Sequence, residues 1–242
     1  MKVRTKYIDL KLIPHHLALN FQIEQRENIA LLKKENLDTS QSNVLVLCEH
    51  NPILTFGSSA KESELFIAKD KLKSVGLDIS YIRRGGAITF HGPGQIVGYP
   101  ILDLENFKTD IRWYTETMAK VIIDTLKNYD VEGYYDKEFP GVWINDKLSG
   151  KKKKICAVGV HLSRWITNHG FAFNISNDMK YYQYFIPCAI NEPDRAVTTL
   201  SKELGREINI DEVKNIILQN FEHHFLTELV RQGSIEVVLS II

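Results

Sequence analysis

Arg83-Arg84-Gly85-Gly86-Ala87-Ile88-Thr89-Phe90-His91-Gly92-Pro93-Gly94-Gln95 lies among three apolar segments, 79–83, 87–91 and 97–102, which follow one another through glycine turns with no helix between them. Parallel neighbours need a crossover of a dozen or more residues, so strands this closely spaced argue against a simple alternating βαβ sheet. Because helical spacings appear on either side, the run decides for a mixed α/β fold. The same residues read as a binding surface. Paired glycines let a backbone come close to a bound molecule and offer it N–H donors, and two arginines and a histidine exceed what a turn requires. A plain hairpin with tight turns is the alternative.

On the N-terminal side, Leu17, Phe21, Leu31 and Leu32 space out an amphipathic helix after Pro14, and strands are expected at 44–48 and 53–56. Leu65, Ala68 and Leu72 mark a short helix that ends near Gly76. On the C-terminal side, Asp110 is a good N-cap for a helix carrying Ile111, Tyr114, Met118, Val121, Ile122 and Thr125. Residues 141–144 and 155–162 form a hairpin around a lysine-rich loop, and 170–175 adds a strand. Val213, Ile216, Ile217, Phe221 and Leu229 give a long C-terminal helix, with a last short strand at 235–239. The chain reads as one domain over 1–242, with a small C-terminal unit from about residue 205 as the variant that the charged bend at 202–209 suggests.

With 242 residues, 44% of them hydrophobic, the chain can bury a sizeable core unaided. Its formal net charge of zero supplies no basic field for a phosphate backbone, which argues against nucleic acid as a partner. No apolar run approaches membrane-spanning length, and three scattered cysteines offer no disulfide framework. A soluble cytoplasmic protein is expected. The eight histidines show no chelating spacing, no metal site is expected, and His15-His16 and His223-His224 read as solvent-facing pairs.

Two residues carry candidate chemistry. Cys188 follows Pro187 and precedes the small Ala189, which presents its thiol, whereas Cys48 and Cys156 read as small buried hydrophobes. Strand alternation from 154 to 162 places Lys154 in phase with Cys156, Val158, Val160 and Leu162, so this amine must snorkel or sit partly desolvated on an apolar face. A thiol with a nearby amine suits nucleophilic acyl transfer. Lys151, Lys152 and Lys153 read as a solvated basic loop.

Taken together, Arg84-Gly85-Gly86, the segment 89–95, Lys154-Ile155-Cys156-Ala157-Val158-Gly159, His169-Gly170-Phe171-Ala172-Phe173-Asn174 and Ile186-Pro187-Cys188 resemble the lipoyl(octanoyl) transferase family. The motifs recur in family order from about residue 44 to residue 200. The resemblance implies a mixed sheet flanked by helices, like the catalytic domain of biotin and lipoate protein ligases. It also implies transfer of an octanoyl or lipoyl group from acyl carrier protein to a lysine of a lipoyl domain through a cysteine thioester, in protein lipoylation. Cys188 would be the nucleophile and Lys154 its base. Arg84, Gly85, Gly86, Ala87, Ile88, Thr89, Phe90 and His91 would line the acyl site with Ala157, Val158 and Gly159 and with Gly170, Phe171 and Ala172. His91 and His169 would orient reacting groups or serve as hydrogen-bonded structural residues. No permanently bound cofactor is implied, since the acyl group arrives on the phosphopantetheine of the carrier. The acceptors would be lipoyl domains of 2-oxoacid dehydrogenase complexes or the glycine cleavage H protein. Ala189 departs from the glycine that commonly follows the cysteine. An ATP-dependent lipoate or biotin ligase and a noncatalytic carrier-binding module are the alternatives.

Overall fold

The computed structural model describes residues 3–146, 149–187 and 193–232. Strand β1 (Arg4–Leu12) leads through Pro14 into α1 (His15–Lys34), and β2 (Asn43–Glu49) and β3 (Ile53–Phe56) follow. Two 3-10 turns, Glu62–Glu64 and Lys69–Val75, stand where a short helix is expected, the second closed by Gly76 at a φ of 79°. Next come β4 (Asp78–Tyr81), β5 (Ile88–His91), β6 (Gln95–Ile101) and α2 (Ile111–Lys127), whose Asp110 carboxylate accepts from the amides of Arg112 and Trp113. Strands β7 (Gly133–Asp136), β8 (Gly141–Asn145), β9 (Lys152–Ser163) and β10 (Ile166–Asn174) form a meander. The described chain ends with β11 (Arg195–Val197), α3 (Leu200–Leu204), α4 (Ile210–Phe225) and β12 (Glu228–Arg231).

Among the described residues, the strands form two sheets. The larger runs β12-β1-β2-β6-β10-β9-β8-β7, with β11 pairing on β9, and the smaller runs β4-β3-β5. Parallel pairs (β12 with β1, β1 with β2, β11 with β9, β3 with β4) sit beside antiparallel ones. The mixed α/β architecture is therefore as expected. One face of the large sheet is covered by α2 and α4, whose Met118, Ile122, Val213, Ile217 and Phe221 share a core with Leu45, Ile96 and Phe173. The other face carries α1, with Ala18, Phe21 and Ile29 packed on Val46, Val97 and Tyr99. A third cluster (Leu54, Leu72, Ile88, Phe90, Phe185) backs the small sheet.

Several local expectations change. Leu229 does not extend the last helix: Leu226 turns left-handed at a φ of 52°, and Leu229 joins β12 beside Thr5 of β1. Lys152 and Lys153 belong to β9, and Lys153 pairs with Asp146 at 2.9 Å and Glu203 at 3.1 Å, so this part of the basic run is neutralised within the fold. The strand expected at 235–239 lies outside the described residues.

Candidate active site

Strand β9 carries an extra residue. In its ladder with β8, Val142 faces Cys156 and Trp143 faces Lys154, which leaves Ile155 unmatched. A bulge of this kind lets two consecutive side chains share one face and re-aims the next. Ile155 and Cys156 both enter the core under α2, whereas Lys154 is returned to the face of Ala157 and Gly159. The alternation expected from the sequence put Lys154 in phase with Cys156; the bulge puts them on opposite faces.

Lys154 is only 3% exposed. Its Nζ donates to the Pro140 carbonyl at 3.4 Å and lies 5.0 Å from the centre of the Trp143 ring. Among the described residues, a carbonyl and an aromatic face are its neighbours, while the adjacent Lys153 pairs with Asp146 and Glu203. The next strand in register is β11: Val197 stands opposite Lys154, and the Thr198 amide donates to the Lys154 carbonyl at 3.0 Å.

Beyond Lys154, a cavity opens against β9 and β10. Two cross-strand pairs of small residues, Ala157 with Ala172 and Gly159 with Gly170, border it. The intervening pair, Val158 and Phe171, also lines it, but these side chains pack into the core on the α2 and α4 side, so backbone is what they offer the cavity. The alanines keep their side of the sheet open, while the glycines let neighbouring backbone close on the strands: a Cβ on Gly170 would run into the Gly98 carbonyl and Pro100. A Cβ on Gly159 would sit 2.9 Å from the Gly85 carbonyl, so glycine is needed where β9 meets the Arg-Gly-Gly turn.

That turn is held from below. The Arg84 guanidinium donates to the Thr55 carbonyl at 2.7 Å and to Thr55 Oγ1 at 2.9 Å, and the Gly85 amide donates to the Val160 carbonyl at 2.9 Å. Arg84 is thereby buried and tied to β3. Alternation in β5 then divides the rest of the run: Thr89 and His91 line the cavity, while Ile88 and Phe90 belong to the core of the small sheet. Gly85, Gly86 and Ala87 shape the turn without lining the cavity. His91 Nδ1 pairs with Gln95 Oε1 at 2.9 Å, and Gln95 Nε2 donates to Asn174 Oδ1 at 2.8 Å, so this histidine is fixed by a side-chain relay. His169 sits at a φ of 60°, its amide bonded to Gln22 Oε1 at 3.0 Å.

Four wall residues were not singled out from the sequence: His15, Ile82, Val97 and Tyr99. Val97 and Tyr99 alternate on β6 and could have been found from that period, but nothing in the sequence separates His15 from His16. His16 is exposed as expected, whereas His15 is 5% exposed and stands in the first turn of α1 beside His50 and His91. The other pair also divides, since His223 is exposed while His224 Nε2 meets Asp124 Oδ2 at 2.6 Å. Burial, with help from His50 and Arg84, pulls the His15 pKa down to about 3, and burial takes His169 to about 3 and His50 to about 4. Burial likewise holds His91 well below the usual histidine range.

Cys188 lies outside the described residues. Of the other cysteines, Cys156 is sealed in the core, and Cys48 is fully buried with its thiol pushed up by desolvation. The chain leading to Cys188 is anchored by the Phe185–Leu65 bridge and by the Ile186 amide on the Glu64 carbonyl, at 2.8 Å. It resumes at Pro193, two residues before β11. Among the described residues, no group of three or more His, Cys, Asp or Glu side chains is placed to hold a metal, and no helix is long and apolar enough to cross a membrane.

Comparison with known proteins places this geometry. Residues 25–222 match the lipoyl protein ligase A/B catalytic domain. An octanoyltransferase of Porphyromonas gingivalis is 39% identical over 219 residues, covering 90% of this chain and 44% of that relative. An octanoyltransferase of Parabacteroides distasonis is 40% identical over 200 residues, covering 83% of this chain and 89% of its own. The solved bi-partite lipoate protein ligase of Thermoplasma acidophilum superposes with a TM-score of 0.69 at 15% identity, over 100% of this chain and 90% of its own. That likeness is one of fold.

Proposed function

Because the chain belongs to the octanoyltransferase family, built on the lipoyl protein ligase A/B catalytic domain, we propose that it moves an octanoyl group from a carrier-protein thioester to a lysine of a lipoyl domain by way of Cys188. The observation that carries the reading is the buried amine of Lys154, turned by the bulge onto the face of a slot bordered by small residues. The slot is narrow, about 40 Å³, so of an acyl chain only a thin, unbranched tail fits its width. With Cys48 and Cys156 closed off, Cys188 is the thiol left for covalent chemistry.

In the first half-reaction, Lys154 takes the Cys188 proton and the thiolate attacks the octanoyl carbonyl. The bond to the phosphopantetheine sulfur breaks, and that sulfur leaves with a proton as the free carrier thiol. In the second, the amine of the lipoyl-domain lysine attacks the Cys188 thioester. Lys154 accepts a proton from it, the amide forms and the Cys188 thiol is restored. The donor on this reading is acyl carrier protein. The protein contributes position, a narrow slot and one proton-exchanging group; the activated acyl group comes ready-made on phosphopantetheine, so no resident cofactor is called for.

Incubation with octanoyl carrier protein, followed by peptide mass spectrometry, should find one octanoyl group on Cys188, and adding lipoyl domain without ATP should move it to lysine. An acyl group on Cys48, or transfer that requires ATP, would overturn the reading in favour of another cysteine or an adenylating ligase.

A further inference from the structure

The buried ring of His15 is a partition between two cavities. On one side is the slot bordered by Ala157, Gly159, Gly170 and Ala172; on the other a wider groove runs from the first turn of α1 to the small sheet, over Ile53, Leu77 and Ile79. Among the described residues, His15 is the one that lines both. Its ring is wedged in place, stacked on His91 at 6.2 Å with 13° between planes and edge-on to His50 at 5.2 Å. Its Nδ1 is buried with no hydrogen-bond partner. A buried nitrogen without a partner is unfavourable, so hydrogen bonding at that atom does not account for an imidazole here; its flat bulk does.

We propose that His15 sets the upper length of the acyl chain, by closing the slot against the outer groove. The inference rests on the octanoyl-transfer reading above. With the ring in place, a tail that enters the slot must end against it. Without it, a longer tail would pass into the groove and lie on Ile53, Leu77 and Ile79, where each further methylene is removed from water. His15 touches the acyl chain rather than the reacting atoms, so it governs which substrate is accepted and not how the thioester is made.

The test compares wild type, His15→Ala and His15→Phe in two measurements. Calorimetry gives the affinities for free octanoate and tetradecanoate, and turnover gives kcat/KM for octanoyl and tetradecanoyl carrier protein. His15→Ala should raise the ratio of long to short chain by about tenfold or more in both, a step comparable to one well-placed methylene in a fitted pocket. His15→Phe restores a flat ring without nitrogen and should keep the wild-type ratio. A loss of binding or rate that is equal for both lengths, or an unchanged ratio in folded His15→Ala, overturns the proposal. Should His15→Ala fail to fold, His15→Trp carries the same test in reverse, lowering octanoate affinity relative to hexanoate; an unchanged ratio there is equally fatal. If wild type binds the acids but accepts no acyl group from the carrier, the transfer reading fails while the two affinities still decide the wall.

Discussion

At Lys154 an amine has left water for a carbonyl at 3.4 Å and the face of Trp143, a poor exchange for a group that water solvates well. One long hydrogen bond repays little of the cost of burying an amine, so stability does not explain the residue. Lys154→Met should therefore fold, with a thermal midpoint no lower than wild type, because its stem can still lie over Trp143. Its turnover of octanoyl carrier protein should fall by about 10²–10⁴-fold, the usual contribution of a general base. Lys154→Arg holds its proton at any working pH and cannot take one from Cys188, and should lose as much. Turnover by Lys154→Met within tenfold of wild type would remove this residue from the proton path. A second residue-scale comparison concerns the Thr55 clip on Arg84: Thr55→Val removes Oγ1 but keeps the carbonyl bond at 2.7 Å. The expected signature is a raised KM with kcat little changed, since the Arg-Gly-Gly turn loosens while the thiol and amine stay in place.

Strands β6 and β10 meet where Gly98 stands opposite Phe171, and a Cβ on Gly98 would run into that ring. The ring points into the core under α2 and α4, away from the acyl slot, so Gly98→Ala should cost about 1–3 kcal/mol in urea unfolding through overpacking. Activity per folded molecule should persist, and a selective loss of acyl binding without loss of stability would contradict this division of faces. Elements of this kind differ in how well the sequence announces them. Helix α2 is written locally, in the Asp110 cap and the spacing of Tyr114, Met118, Val121 and Ile122. Strands β3 and β5 are bounded by proline and glycine. The bulge at Ile155 is not written in this way, because Lys154, Ile155 and Cys156 alternate plausibly until the register of β8 is known. Parallel pairing of β12 with β1 joins residues 224 positions apart, and no local period contains it. The candidate site follows the same rule: glycines and the histidine of the binding run were legible, whereas His15 owes its place to the packing of α1 on the large sheet, which sets its ring beside His50 and His91.

At the scale of the whole molecule, the slot ties acid stability to the histidines that wall and underlie it. His15, His50 and His91 stand with ring centres 5.2–6.2 Å apart, and His169 faces the same cavity. Burial lowers all four below the usual histidine value, with Arg84 adding to the effect at His15, His91 and His169. In the unfolded chain each titrates near pH 6.5. Between that value and about 4, the unfolded state binds more protons than the folded one, so stability rises with pH across this window and is lost as pH falls through it. Above pH 7 both states are neutral at these sites and no dependence arises from them. Each group can contribute up to about 1.4 kcal/mol per pH unit inside the window, so four together can bring a domain of ordinary stability close to unfolding near pH 5. Urea unfolding followed from pH 8 to pH 4 should be level at first and then fall steeply below about pH 6.5, with a proton uptake approaching four. His15→Phe removes one titrating ring and should lower that uptake by about one proton, which separates the cluster from the carboxylates that titrate at lower pH. A level profile from pH 7 to pH 5, or an uptake untouched by His15→Phe, would mean that the rings are not held neutral around the slot.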